Sequence, residues 1–177
     1  YVTDNNLTLN LTATDANEVY ITENADCSTG GTWEVFAASK AYVMTPNVSV
    51  TLYYKVRDLA LNESNCINSS IAHDTLAPNA VGSITLSNDG SDIASDNSSW
   101  LPVTDNGPSG VATYFYAIST TANEAGIVTS GNWTDTLFST SFQFESGLSL
   151  IGGTDYYTLV KVVDNVGNES TIKASDA

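Results

Sequence analysis

Two stretches of this chain place the same polar side chains at the same spacing. KVRDLALNES begins at Lys55 and KVVDNVGNES at Lys161, and Lys, Val, Asp, Asn, Glu and Ser recur in order at six of the ten positions. A carboxylate with a carboxamide four residues on offers oxygen ligands to a hard cation such as calcium. The same pair suits a turn. Asp accepts hydrogen bonds from backbone N–H groups a few residues on, and Asn tolerates left-handed backbone. The turn reading gives Asp58 and Asn62, with Asp164 and Asn168 in the second copy, a structural task. Leu61 stands where the second copy has Gly167, so the strain in the first copy is expected at Asn62.

Other side chains capable of chemistry are sparse. His73 is the only histidine and directly precedes Asp74. A lone histidine there reads as a solvated or stacking residue more readily than as a base. The chain has no Gly-x-Ser-x-Gly elbow, Gly-rich phosphate loop or His-x-x-x-His pair. Neither half suggests a cleft that would hold the paired carboxylates of a glycosidase. No enzyme is expected. Trp133, with Asn132 and Asp135 beside it, is the aromatic best placed to stack on a sugar while polar neighbours bind its hydroxyls. Trp100 reads as core, and Trp33 and Phe36 as packing near Cys27.

Charge narrows the partners. The chain carries 20 acids against 5 bases, a net charge of −15. Lys40, Lys55, Arg57, Lys161 and Lys173 do not cluster, so nucleic acid and anionic membrane surfaces are poor partners. No apolar run approaches the roughly 18 residues that a membrane span needs, so no membrane insertion is expected. The two cysteines, Cys27 and Cys66, together with few lysines and much Ser, Thr and Asn, suggest an exported protein. The pair either bridges or stays as two buried thiols. A bridge would close a loop of about 40 residues, worth about 4 kcal/mol in the chain-entropy account.

The elements that must position these residues are strands. Leu7, Leu9 and Leu11 alternate with Thr8, Asn10 and Thr12. Val50, Leu52, Tyr54 and Val56 alternate with Thr51, Tyr53 and Lys55. EVYITEN and CINSSIAHD read as further strands. Pro78 in HDTLAPNA interrupts the pattern and holds Ala77 extended. Beyond it GSITLS, SSWLPVTD, ATYFYAIS, SFQFE, YYTLVKVVD and STIKAS read as strands, punctuated by DNGPSG, SGN and IGG. TANEAGIV is the one plausible helical turn. The 177 residues therefore divide into two all-β domains, 1–76 and 77–177, each a β-sandwich. The first domain is expected to lack part of its first strand, and the start at Tyr1 in mid-pattern reads as a segment excised from something longer.

The second domain resembles a fibronectin type III module on Pro78, Trp100, ATYFY and LSLIGGTDYYTLVKVVD. The resemblance implies that Tyr156 bonds back to the corner before its strand, with Val160 and Val162 in the core. The long TTANEAGIVTSGNWTDT connection departs from the compact module. The first domain is similar to the immunoglobulin-like repeats of very large bacterial surface proteins on VYITENADCSTGGTWEVF, YYKVRDLALNESNC and HDTLAP. Such repeats often carry two cysteines at these places. The pair together implies tandem immunoglobulin-like and fibronectin type III-like sandwiches at a cell surface or outside the cell. Neighbouring repeats would be the partners, and the role that of a spacer in an adhesin or fibre. A tip contacting a glycan or protein receptor through the Trp133 region is the alternative, and an accessory domain of an extracellular hydrolase a third. No resident cofactor is expected. In such sandwiches the loops near the domain junction cluster, which would gather Asp74, Asp105, Asp164 and Asn168 as calcium ligands, with Asn79, Asn106 and Asn165 close by.

Overall fold

The structure, a computed structural model, describes residues 1–86, 97–129, 133–143 and 150–176. The chain divides into two units, Tyr1–Thr75 and Leu76–Ala177. Among the described residues no helix is long and apolar enough to cross a membrane.

The first unit has six strands: β1 (Asn6–Asn10), β2 (Glu18–Thr22), β3 (Trp33–Val35), β4 (Ser39–Val43), β5 (Ser49–Arg57) and β6 (Ile67–Ala72). They form a two-stranded sheet, β1-β4, and a four-stranded sheet in the order β3-β2-β5-β6. All of these pairings are antiparallel. Alternation explains β1 and β5, whose inward positions are apolar. Leu11, Val19, Tyr20, Met44 and Leu52 are buried.

The strands β3 and β4 fall in GGTWEVFAASKAYVM, which sequence alternation leaves without a strand. β3 is short and largely exposed. In β4 the half-buried positions are Lys40 and Tyr42, while Ala41 and Val43 face water. Hydrogen bonding replaces hydrophobicity there. The Tyr42 hydroxyl donates to Glu23 at 2.7 Å, and burial, then this bond, push its phenol up to about 12. Cys27, in the β2–β3 connection, is bridged to Cys66, just ahead of β6, with Cα atoms 5.9 Å apart.

Among its described residues the second unit has seven strands: β7 (Ile84–Leu86), β8 (Asn97–Trp100), β9 (Val111–Ser119), β10 (Thr134–Asp135), β11 (Ser141–Gln143), β12 (Tyr157–Asp164) and β13 (Lys173–Ala174). Its sheets run β11-β8-β7 and β10-β9-β12-β13. Trp100, Tyr114, Tyr116, Val160 and Val162 form its core with Val81, and Ile84 of β7 packs against them. The Trp100 and Tyr114 rings lie 5.8 Å apart, and the Tyr114 hydroxyl accepts the Val103 N–H at 3.1 Å. TANEAGIV contains a single 3₁₀ turn, Glu124–Gly126, capped by the Asn123 side chain accepting the Ala125 N–H. Both units are all-β, two-sheet sandwiches of the immunoglobulin-like and fibronectin type III-like class.

Candidate functional site

The repeated polar stretch forms the hairpin connecting β5 to β6 in the first unit and β12 to β13 in the second. Every repeated residue has the same partner in both. Lys55 Nζ pairs with Glu63 at 2.7 Å, and Lys161 Nζ with Glu169 at 2.9 Å. The Val56 and Val162 N–H groups each donate to a serine hydroxyl, Ser64 and Ser170, at 3.0 Å. Those hydroxyls donate onward to the Asn65 and Thr171 carbonyls. Asp58 accepts from the Asn62 N–H at 2.9 Å and from the Asn62 carboxamide at 2.8 Å. Asp164 accepts the same pair from Asn168 at 2.8 and 2.7 Å. The Asp N–H returns to the Asn carbonyl in both, at 3.2 and 3.1 Å. The network closes on itself, so spacing and residue type are both fixed by the turn.

One expectation is corrected here. The left-handed residue of the first hairpin is Leu61, with φ 66°, and not Asn62. Gly167 holds the matching place in the second with φ 94°. The Asp–Asn clasp sets the backbone path whichever residue precedes Asn, and Leu61 takes the strained conformation. The clasp also acts on charge. Asn62's side chain, then its backbone N–H, hold the Asp58 carboxyl below its ordinary value.

The lysines add a second common feature. Lys55 stands opposite Tyr20 in the sheet register, and Lys161 opposite Phe115. Lys55 Nζ lies 5.6 Å from the Tyr20 ring centroid and 5.5 Å from that of Trp33. Lys161 Nζ lies 5.7 Å from Phe115 and 4.9 Å from Trp133. In each unit a lysine thus bridges an aromatic shelf on its sheet to the hairpin glutamate. Trp33 also stacks near Tyr20 and lies under the Arg57 guanidinium at 4.3 Å.

At the hairpin end of the second unit, two loops bring carboxylates together. Asp105, in the β8–β9 connection, accepts from the Gly110 N–H at 2.8 Å and the Ser109 hydroxyl at 3.2 Å through Oδ2. Its Oδ1 is buried and has no hydrogen-bond partner. An oxygen of Asp105 and one of Asp164 lie within 4.8 Å of each other. Asp164 is 2% exposed. Asn165 ties the two loops by donating to the Ser109 and Gly110 carbonyls at 2.8 and 2.9 Å. Asn106 donates to the Ala77 carbonyl at 2.7 Å, Asn79 to the Thr104 carbonyl at 3.0 Å and Asn168 to the Leu76 carbonyl at 3.4 Å. Asp74 belongs to the first unit, where its N–H donates to the Val2 carbonyl at 2.9 Å.

The remaining expected residues are placed as follows. The Trp133 indole N–H donates to Glu124 at 3.0 Å, which pins its half-buried ring beneath Lys161. Asp135 accepts from the Leu137 N–H at 2.8 Å and from the Thr113 hydroxyl. Asn132 lies outside the described residues. Tyr156 accepts the Ile151 N–H at 3.0 Å through its hydroxyl, closing the corner before β12. His73 is buried, and its Nδ1 accepts the Asn47 N–H at 3.0 Å. The sequence signal for the Asp105–Asp164 approach is weak, because it depends on which loops the topology makes neighbours. The lysine shelves carry no signal in the residue spacing, because their aromatics sit on other strands.

Relieving the left-handed leucine should help the first unit. Leu61→Gly is expected to raise its stability by up to about 1 kcal/mol, and Gly167→Ala to lower the second unit's by about as much. Calorimetric melting of each variant checks both signs. Acid gives a second expectation. Because Asp58 is depressed in the folded state, its contribution is present above the unfolded value of about 4 and is lost as pH falls through the folded one. Asp4 and Asp26 are lowered too, by bonds from Asn6 and Ser28. Asp58→Asn should therefore lower the first unit's melting temperature at pH 7, and the difference from the parent should shrink as pH falls below about 4, so that the variant's acid profile is flatter. An unaltered acid profile would rule out the clasp as a source of acid sensitivity.

No protein-family model and no curated protein matches the chain. Among solved structures it is similar to the fibronectin(III)-like modules of Clostridium thermocellum CbhA, at 8% identity over 98% of this chain and 84% of that one, with a TM-score of 0.42. It is also similar to titin domains A168-A170, at 13% identity over 90% of this chain and 53% of that one, with a TM-score of 0.48.

Proposed function

We propose that the two units are non-enzymatic structural modules of a secreted or cell-surface bacterial adhesin or fibre, which extend the chain and present a binding region carried elsewhere. The observation that supports this most is the full internal use of the repeated polar set. All six residues that recur in the two copies are engaged in holding a hairpin, valine through its backbone N–H and the other five through their side chains. The disulfide fits an oxidising compartment. Neighbouring repeats of the same parent chain are the natural partners of such modules. Against a carbohydrate-binding tip, Trp133 already spends its N–H on Glu124 and one ring face on Lys161. On this reading Trp133→Ala leaves the attachment of cells displaying the parent protein unchanged, and a glycan array stays blank. Lost attachment with an intact melting curve would instead make the Trp133 region a receptor contact.

A second reading is favoured by the dry Asp105 oxygen. Calcium at the hairpin end of the second unit would take carboxylate oxygens from Asp105 and Asp164, with Asn168 as a further oxygen donor beside them. It would remove the repulsion between the two acids. Calcium at a hundredfold excess over its Kd would add about 2.7 kcal/mol to the second unit. The expected result is a melting transition several degrees higher in calcium than in chelator, with the difference abolished by Asp105→Asn. Superimposable melts in the two solutions would exclude the site.

A further inference from the structure

The triplet Asn-x-Ser/Thr, the acceptor pattern for N-linked sugar, occurs eight times in the chain. Most of those whose side chains are described are already engaged. In the two hairpins the Asn62 and Asn168 carboxamides are held by Asp58 and Asp164, and the Ser64 and Ser170 hydroxyls belong to the same network. Asn47 has left-handed backbone, φ 58°, and its side-chain oxygen accepts the Thr75 N–H at 2.8 Å. The Asn68 triplet has its hydroxyl, on Ser70, bonded to Thr51 at 2.8 Å. Two triplets stand apart, in tandem within NLTLNLT: Asn6-Leu7-Thr8 and Asn10-Leu11-Thr12.

Strand geometry presents them. Residues two apart on a strand share a face, so the leucines of β1 turn inward while Asn6, Thr8 and Asn10 project outward and are exposed. Thr12, just past the strand, is exposed too. Among the described residues no hydrogen bond engages the Asn10 carboxamide or the Thr8 and Thr12 hydroxyls. The Asn6 carboxamide donates only to its neighbours Asp4 and Asn5, at 3.1 and 3.2 Å, in the open. The surrounding face is unusual for this chain. Val43, Ala41 and Ser39 of β4 stand opposite Asn6, Thr8 and Asn10. All six outward positions of the two-stranded sheet are uncharged and exposed, in a chain of 20 acids and 5 bases. Val43 is 65% exposed. Such a face lacks the charge by which open strands avoid pairing with other chains.

We propose that Asn6 and Asn10 carry N-linked sugar, which covers the outward face of β1 and β4. The donor is a sugar activated by phosphate at its anomeric carbon, and a transferase reads the exposed triplet. The carboxamide nitrogen forms a bond to the anomeric carbon as the bond from that carbon to the phosphate oxygen breaks. Phosphate leaves with the electron pair and takes up the proton that the nitrogen sheds. The two acceptors are four residues apart, about 14 Å along the strand, so both sugars stand on one face. The first lies directly across from Val43. Sugar hydroxyls give this face the hydration that carboxylates give the rest of the surface.

The test is a map of the natural product. The parent protein is isolated from the cells that make it, digested, and its glycopeptides are fragmented in a mass spectrometer. Sugar mass is expected on Asn6 and Asn10 and absent from Asn62 and Asn168. A single sugar identifies a nucleotide-linked donor and an oligosaccharide a lipid-linked one, and either supports the site. Thr8→Ala, produced in the same cells, should remove the sugar from Asn6 while the carboxamide stays in place. Thr8→Ser should keep it. Bare Asn6 and Asn10 in the isolated protein would overturn the proposal. So would sugar on Asn62 or Asn168, because free presentation on a strand face would then not be what selects the acceptor.

Discussion

The clasp between an aspartate and the asparagine four residues later is the constraint from which much of each sandwich follows. One carboxylate takes a backbone N–H through one oxygen and a side-chain amide through the other, while the aspartate's own N–H returns to the asparagine carbonyl. That fixes the reversal of the chain to within a residue. It thereby sets the register of the strand that follows, because a slip by one would turn every inward side chain outward. The serine hydroxyl that receives the valine N–H continues the ladder where the strands part. The lysine and glutamate join the hairpin to the aromatic face of the sheet. Short polar contacts thus determine where the apolar ones fall.

The same clasp exists in two surroundings. Asp58 sits at a more open surface, where its bonds act mainly on turn shape and on its own acidity. Asp164 is almost wholly buried and meets Asp105 from another loop. The buried Asp164 carboxylate accepts three N–H groups, from Val166, Asn168 and the Asn168 carboxamide. The acid beside it keeps one oxygen without a donor. One local motif therefore serves as a turn in one unit and as one wall of a charged recess in the other.

Much of this was legible in the residues, for identifiable reasons. The hairpin could be read because its partners are neighbours in sequence. The long strands β5, β9 and β12 could be read because alternation persists over eight or nine residues. β3 and β4 could not, since one is three residues long and the other buries Lys40 and Tyr42 through polar bonds. Residue preference points to Asn62 as the left-handed residue of the first hairpin, whereas hydrogen bonding dictates the path and puts it at Leu61. The approach of Asp105 to Asp164 is legible only through the family resemblance, which supplies the loop topology, while the lysine shelves over Trp33 and Trp133 depend on strand neighbours that side-chain spacing does not encode.

The Cys27–Cys66 bridge has a consequence for a chain under tension. It spans 39 positions and encloses β3, β4, β5 and the whole first hairpin. A pull applied at the two ends of the first unit passes through the sulfurs and bypasses this loop. Fully drawn out, the enclosed residues would represent about 130 Å of contour. That length stays locked even if every strand of the unit comes apart. Force can unravel only the outer part of the unit, roughly half of it, and the long strand at its centre remains inside a closed ring from which refolding can begin.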